Sequence, residues 1–441
     1  MAISLTISDG TITVTLSGTS PVLGCTYFPL APARNSGEWQ NVTESVEVNL
    51  RGTEATIRAT VNSIERLLEA ADLRQQTGMG ARVYANYAPV TETAYRSEIL
   101  AGRVVWSTDP GLRRLSDTNP TVRVAVIWTR RYYWEGAEVE LSISGNGQAA
   151  ATGGRTLLND PANGNWMEAA AAQVTGNLPA PVKLTLQNTT GSAQIYYRLF
   201  MNVNAYSDPG SLVHYLQAEA EVGGSPTVDA TCSGGNKLAV NATNPVLTWV
   251  LPAADMARTR GRRARIIARF VTAGGPAYIT PQIRDAAGTA ILWTGDEVTI
   301  PQNATETFYA DLGVVPLPPG GYGTAWGALT LALSFRGAAL ADLDVLQLTM
   351  LDSYRYVEMA ATSVANNASI VHDGIEEISY VLSGAAWLPL ASAFGGALML
   401  QPGVINRIHV LHGLAAAGTD DAPIANAFSV RAYYRPRRAT V

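Results

Sequence analysis

Cysteine, lysine, histidine and long apolar runs are all scarce in this 441-residue chain, and each scarcity closes off a class of function. The two cysteines, Cys25 and Cys232, lie far apart and make neither a disulfide framework nor a metal site, so both are expected as buried free thiols. Hydrophobic residues make up 47% of the sequence, yet no apolar run approaches the roughly 20 residues that a bilayer span requires, and no membrane span is expected. The opening MAISLTISDG has neither a basic n-region nor an apolar h-region, so no signal peptide is expected. A net charge of −5 argues against nucleic-acid binding and sequence recognition, which need concentrated positive charge. Only Lys183 and Lys237 are lysines; arginine suits fixed ion pairs at interfaces, although a GC-rich genome would give the same bias.

Catalytic signatures are missing as well. No GxSxG, HExxH, Walker or GxGxxG constellation appears. His409 and His412 are spaced as HxxH, but residues three apart on a strand face opposite sides and would not share a metal. His214 and His372 stand alone. A glycosidase would need a close pair of carboxylates, and nothing singles one out, so the chain is expected not to be an enzyme.

What is present is strand after strand, with one helix. SLTISDGTITVTLSG alternates around the hairpin signal Asp9-Gly10, and SVEVNL at 45–50 runs through Gly52 into residues 53–77. There Ile57, Val61, Ile64, Leu68 and Ala71 recur at three- and four-residue steps and share one face, while Arg58, Asn62, Glu65, Arg66 and Glu69 fall on the other. Thr53 is placed to cap the helix and Gly78 to close it. ARVYANY at 81–87, YRSEILAGRVVW at 95–106 and TVRVAVIWTRRYYW at 121–134 alternate as strands. From 141 the composition shifts to Gly, Ala, Asn and Thr, and further β-rich blocks run from 214 to 351 and from 352 onward. With turn signals between strands and no βα rhythm, the expected fold is mainly β, a set of β-sandwiches. The arginine-rich TRGRRARIIARF, ending at Phe270, is expected as a turn and an amphipathic strand with Ile267 inside and arginines on the rim.

In the order of its pieces, residues 1–140 resemble the N-terminal domain of siphophage distal tail proteins. The likeness rests on VTESVEVNLRG, IRATVNSIERLLEAA, YRSEILAGRVVW and VAVIWTRRYYWEG, and on the closing LQPGVINRIHVLH and FSVRAYYRPR. The resemblance implies a tail-tube-like β-sandwich with one flanking helix, of which six copies usually close into a ring at the tail tip. It also implies tail-tube and tail-tip or hub proteins as partners, and the distal tail of a virion as location. Tail-tube and baseplate relatives share that fold. Arg58 and Arg66 on the helix, and Arg130, Arg131 and Tyr132 in TRRYYW, are the candidate oligomer contacts, since Arg and aromatic residues are enriched at protein interfaces.

Residues 214–351 look like a different family, the calcium-containing jelly-roll carbohydrate-binding modules, on the phrases LQAEAE (216–221), CSGGNKLAV (232–240) and LDVLQLT (343–349). In that fold the first and last strands are neighbours, which permits insertion into a loop of another domain. Residues 141–213 and 352–441 then make one split β-sandwich around the module, the alternative being two small domains. Gln217 and Glu219, or Glu219 and Glu221, two apart on a strand, would share a face, and Asp344 could meet them as ligands of a structural calcium. For host-surface polysaccharide the candidates are Trp293, Asp296, Tyr322 and Trp326, with Trp249 also considered. Where the family often has an aromatic after the Gly-Gly pair, this chain has Asn236 and Lys237. The functional expectation is a virion structural ring component displaying a module for host glycans. The alternatives are a tail-tube or decorating protein without glycan binding and, further off, a polysaccharide hydrolase.

Overall fold

The computed structural model describes residues 4–89, 94–106, 121–145, 147–162, 164–206, 215–222, 224–240, 246–253, 256, 261–303, 306–317, 327–337, 341–390, 392–414 and 422–441. The described chain is mainly β, with a single α-helix of more than one turn. It forms two compact units, one of residues 1–139, 175–179 and 435–441, the other of 140–174 and 180–434.

The first unit is a nine-stranded antiparallel sheet. Its order is Thr13–Thr15, Ser4–Ser8, Val83–Ala88, Tyr95–Trp106, Thr121–Arg130, Val42–Arg51 and Val22–Thr26, with Trp134–Glu135 and Arg437–Arg438 appended. The strand Val42–Arg51 alternates buried and exposed positions along its length, as a half-buried strand must. The helix Glu54–Thr77 starts where expected: the Thr53 hydroxyl accepts from the Thr56 N–H at 3.2 Å, and Gly78 closes it at φ 70°. Ile57, Val61, Ile64, Leu67, Leu68 and Ala71 are buried, Leu67 widening the face read from the sequence. Each large aliphatic so removed from water contributes about 1.5–3 kcal/mol. Gly102 makes the close approach possible, because a Cβ there would meet Leu68 Cδ2 at 2.7 Å and the Ile127 carbonyl at 2.8 Å. The last described strand comes from far along the chain: Trp134 and Glu135 pair with Arg438 and Arg437. The sequence had placed these closing residues with the C-terminal block.

The second unit holds four sheets in two pairs. One pair has eight and seven strands and draws them from both 139–206 and 354–434. The other has six and five strands, all from 215–350. In the second pair Tyr215–Gln217 and Asn236–Val240 both lie against Ala341–Met350, so its first and last strands are neighbours. Its core packs Trp249, Phe270, Leu312 and Leu331 between the two sheets. The strand Arg263–Ala273 is buried on both faces, with Ala264, Ile266, Ala268 and Phe270 in that core. On the other side, Ile267 clusters with Phe200, Tyr354 and Leu411 of the first pair.

Candidate functional site

That two-sided burial corrects the expectation for the arginine-rich strand. Ile267 is inside, but Arg269 is not on a rim; it is fully buried, its Nε donating to the Ala422 carbonyl at 2.9 Å. Its Nη1 lies 2.5 Å from Asp344 Oδ2, and both side chains are fully buried.

Around this pair the calcium candidates separate. The strand Tyr215–Gln217 ends at Gln217 and a 3-10 turn, Ala218–Ala220, follows, so the alternation that would align Glu219 and Glu221 is lost. Glu221 turns away: its Oε1 accepts from the Thr248 N–H at 3.0 Å, and burial raises its pKa. It is not a fourth ligand with the others. Gln217, Glu219 and Asp344 do gather, at the Ser233–Gly234 turn. Gln217 Nε2 donates to Ser233 Oγ at 3.0 Å, and the Ser233 N–H donates to Asp344 Oδ2 at 3.1 Å. A Cβ on Gly234 would fall 2.2 Å from Glu219 Oε1 and 3.2 Å from Gln217 Oε1, so only glycine leaves that space open. Ser233 Oγ also donates to Asp160 Oδ1 at 2.7 Å. Asp344, Asp160 and Glu219 thus lie around the Ser233–Gly234 turn, with Arg269 engaging Asp344. Gln217 Oε1 and Asp344 Oδ1 are buried without a hydrogen-bond partner among the described residues. Burial pushes the Asp344 carboxyl up to about 7 against the pull of Arg269, and the Asp160 charge adds to the rise. Among the described residues no three His, Cys, Asp or Glu side chains converge at metal-binding distance. A hard cation here would therefore rely on the Gln217 amide and main-chain carbonyls as well, and an oxygen-only donor set of this kind suits calcium. Cys232 beside it is buried, its thiol pushed up to about 12 by that burial, so it is an inert thiol. Cys25 is half-buried rather than buried. Asp160 carried no signal in the sequence, and Ser233 and Arg269 lay in stretches singled out for other reasons; the three come from separate segments brought together only by the fold.

Two of the four glycan candidates, Trp293 and Asp296, are among the described residues. Trp293 sits on the strand Ile291–Thr294 and packs against the core, with a Cβ at Gly295 excluded by its ring at 2.6 Å. Asp296 is exposed in the following turn. Tyr322 and Trp326 lie outside the described residues. Trp249 is a core residue whose Nε1 donates to the Gln217 carbonyl at 2.9 Å.

Among the oligomer candidates Arg130 is corrected. It is fully buried, paired with Glu44 at 2.7 Å, donating to the Leu30 carbonyl at 2.8 Å and lying over the Trp134 ring, so it holds the first unit's core and cannot reach a neighbour. Arg131 is half-exposed and donates to Glu98 at 3.0 Å. Tyr132 stacks on Trp39 with ring centroids 6.4 Å apart. Arg58 and Arg66 are exposed, Arg58 pairing with Glu54 one turn earlier.

Of the histidines, His372, His409 and His412 are buried. Burial lowers His372 to about 4 and His412 to about 3, and His412 packs edge-on to Phe428 at 4.7 Å. Among the described residues no helix is long and apolar enough to cross a membrane.

No protein-family model matches the chain, and no curated protein matches it. Solved structures with partial likeness include a family 35 carbohydrate binding module from Clostridium thermocellum, 18% identical over 33% of this chain and 98% of the module, at a TM-score of 0.20. A GH26-CBM35 β-(1,4)-mannanase from Podospora anserina is 15% identical over 34% of this chain and 28% of its own, at 0.18. A family GH115 4-O-methyl-α-glucuronidase with specificity for decorated arabinogalactans is 10% identical over 32% of this chain, at 0.23; this chain spans 18% of that enzyme's length. At such scores the likeness decides neither fold nor activity.

Proposed function

We propose that the chain is a non-enzymatic structural protein of a phage tail, assembled from repeated copies of itself, that displays the 214–351 jelly roll to hold host-surface polysaccharide. The observation that carries assembly is a run without charge. From 378 to 406 there is no Asp, Glu, Lys, Arg or His. Within it, Ala386–Pro389 is the terminal strand of one sheet and exposed at every position, and Ser392–Gly395 is the terminal strand of the other. Trp387, Leu388 and Phe394 are each more than half exposed. Solitary proteins guard sheet edges most often with charge, which this edge lacks, its one proline, Pro389, standing at the last position of the strand; an apolar, uncharged edge is suited to being covered. A second copy meets such an edge without charge conflict, and a head-to-tail contact of this edge with a different surface of the next copy, repeated about one axis, closes a ring.

Support for the tail comes from the strand–helix–strand succession of the first unit, and for the sugar from the jelly-roll phrases. A structural calcium held by Gln217, Glu219 and Asp344 belongs to the proposal; bound there, it would neutralise the excess carboxyls and fix the Ser233–Gly234 turn. Six copies closing a ring at the distal tail, in contact with tube and hub proteins, is the expected arrangement.

The test is particle mass by light scattering, with electron microscopy of the same sample. A ring of several copies is expected, and Leu388→Glu with Trp387→Ser should release smaller species. A protein that stays monomeric at every concentration overturns the assembly reading, and reducing ends released from a polysaccharide would move the chain to the hydrolases.

A further inference from the structure

We infer that the cleft between Tyr197–Arg198 and the segments 298–303 and 306–311 is the binding site for a short stretch of uncharged polysaccharide. The inference rests on the proposal that the chain holds polysaccharide, and it moves the contact away from Trp293. The cleft encloses about 520 Å³, in the range of sites for ligands of a few rings.

Several independent features shape its wall. Gln194–Tyr206 pairs on both sides, and both pairings slip at one place: Tyr196 and Arg198 have partners on each neighbouring strand while Tyr197 has none. Tyr197 is thus the extra residue of a β-bulge, a device that re-aims a side chain, and the residue is 38% exposed while lining the cleft. Opposite the bulge, Ala360 and Ala361 take left-handed φ values of 46° and 62°, strain that is retained where the surroundings demand it. On the other neighbouring strand Gly413 leaves room for Arg198, since a Cβ there would meet Arg198 Cγ at 2.7 Å. Arg198 then reaches across to donate to the Tyr309 carbonyl at 2.9 Å.

The facing wall is also fixed. The Asn303 main chain bonds to Ala273 in both directions, at 2.6 and 2.9 Å, and its Oδ1 accepts from the Glu306 N–H at 3.2 Å. The cleft is therefore lined by the Tyr197 phenol and by Gln302, Asn303 and Glu306, residues whose side chains carry amide and carboxylate groups. Sugar rings stack their C–H faces on such an aromatic while planar polar groups bind adjacent hydroxyls. Charge sets the class. Asp311 is engaged by Arg265, and the other charged residues of the lining are one of each sign, Arg198 and Glu306, so no net positive charge invites uronic or sialic acids.

The experiment is calorimetric titration of the full chain with cellotetraose, xylotetraose, mannotetraose and isomaltotetraose, and with trigalacturonate as the anionic probe. At least one neutral tetrasaccharide should bind, and Tyr197→Ala should weaken it by about tenfold. Tyr197→Phe should stay within about twofold, because the ring remains. Gly413→Val should weaken it too by displacing Arg198, and unchanged melting of Tyr197→Ala keeps the result interpretable if Gly413→Val does not fold. Binding that survives Tyr197→Ala but disappears in Trp293→Ala overturns the cleft and leaves the glycan reading standing. Preference for trigalacturonate overturns the uncharged class, and no binding of any probe counts against cleft and glycan reading together.

Discussion

Among the described residues, each compact unit buries one arginine–carboxylate pair completely, and the two pairs are finished differently. In the first, Glu44 accepts from Arg130 at 2.7 Å, Tyr27 Oη at 2.7 Å, the Leu30 N–H at 2.8 Å and Trp128 Nε1 at 3.2 Å. Every lone-pair direction has a donor, and the neighbouring Tyr27 phenol is driven far up by burial and by the Glu44 charge. In the second, Asp344 accepts from Arg269 and Ser233 through one oxygen while the other is left without a partner, with Asp160 and Glu219 close by. A buried carboxylate with both oxygens fully engaged, like Glu44, is a fastening; one with an unpartnered oxygen and further carboxyls close by, like Asp344, is where the proposed cation would sit.

The difference can be broken by experiment. Arg130→Met should show the largest loss, about 3–5 kcal/mol, because it strands Glu44 without its counter-charge. Hydrogen exchange along Thr121–Arg130 would report it, and a loss under about 1 kcal/mol would mean that the pair fastens nothing. Acid should next separate the units, since every histidine lies in the second. His372 titrates near 6.5 unfolded and about 4 folded, so the unfolded chain takes up a proton first as pH falls through that window. Stability is therefore full above 6.5 and lost on the way down to 4, by about 3 kcal/mol for this group. His372→Gln should flatten the acid limb of the second unit's melting, and an unchanged limb would remove the histidine from the account. Arg269→Met should cost less than Arg130→Met, roughly 1–3 kcal/mol, because a neutral Asp344 is tolerated in its place. Calcium should raise the melting of the second unit and leave the first unmoved; equal shifts in both would erase the distinction. Smallest is Arg66→Glu, which should leave stability within about 0.5 kcal/mol but reduce particle mass if the helix's exposed face meets a neighbouring copy.

The helix was legible because its signal is local: five apolar positions at helical spacing, a threonine before them and a glycine after. The Asp9-Gly10 hairpin was legible for the same reason, with Asp9 Oδ1 accepting from the Thr11 and Ile12 N–H groups. Arg130 and Arg269 were misjudged because alternation shows which residues share a face but not whether a second layer covers it. Glu221 was misplaced because strand periodicity was carried past Gln217, where the chain turns. Tyr197 could not have been singled out, since a bulge is a property of two pairings and IYYRLF reads as an ordinary strand.

One feature of the first unit bears on how the chain is made. Arg437 donates to Glu135, a partner 302 residues earlier in the sequence. A polypeptide leaving the ribosome exposes Trp134 and Glu135 long before Arg437 and Arg438 exist, so this sheet waits with an open place while the whole second unit is synthesised. Completion of this sheet is thereby tied to residues translated after the whole second unit, and a nascent chain cut short within that unit would leave the sheet unfinished.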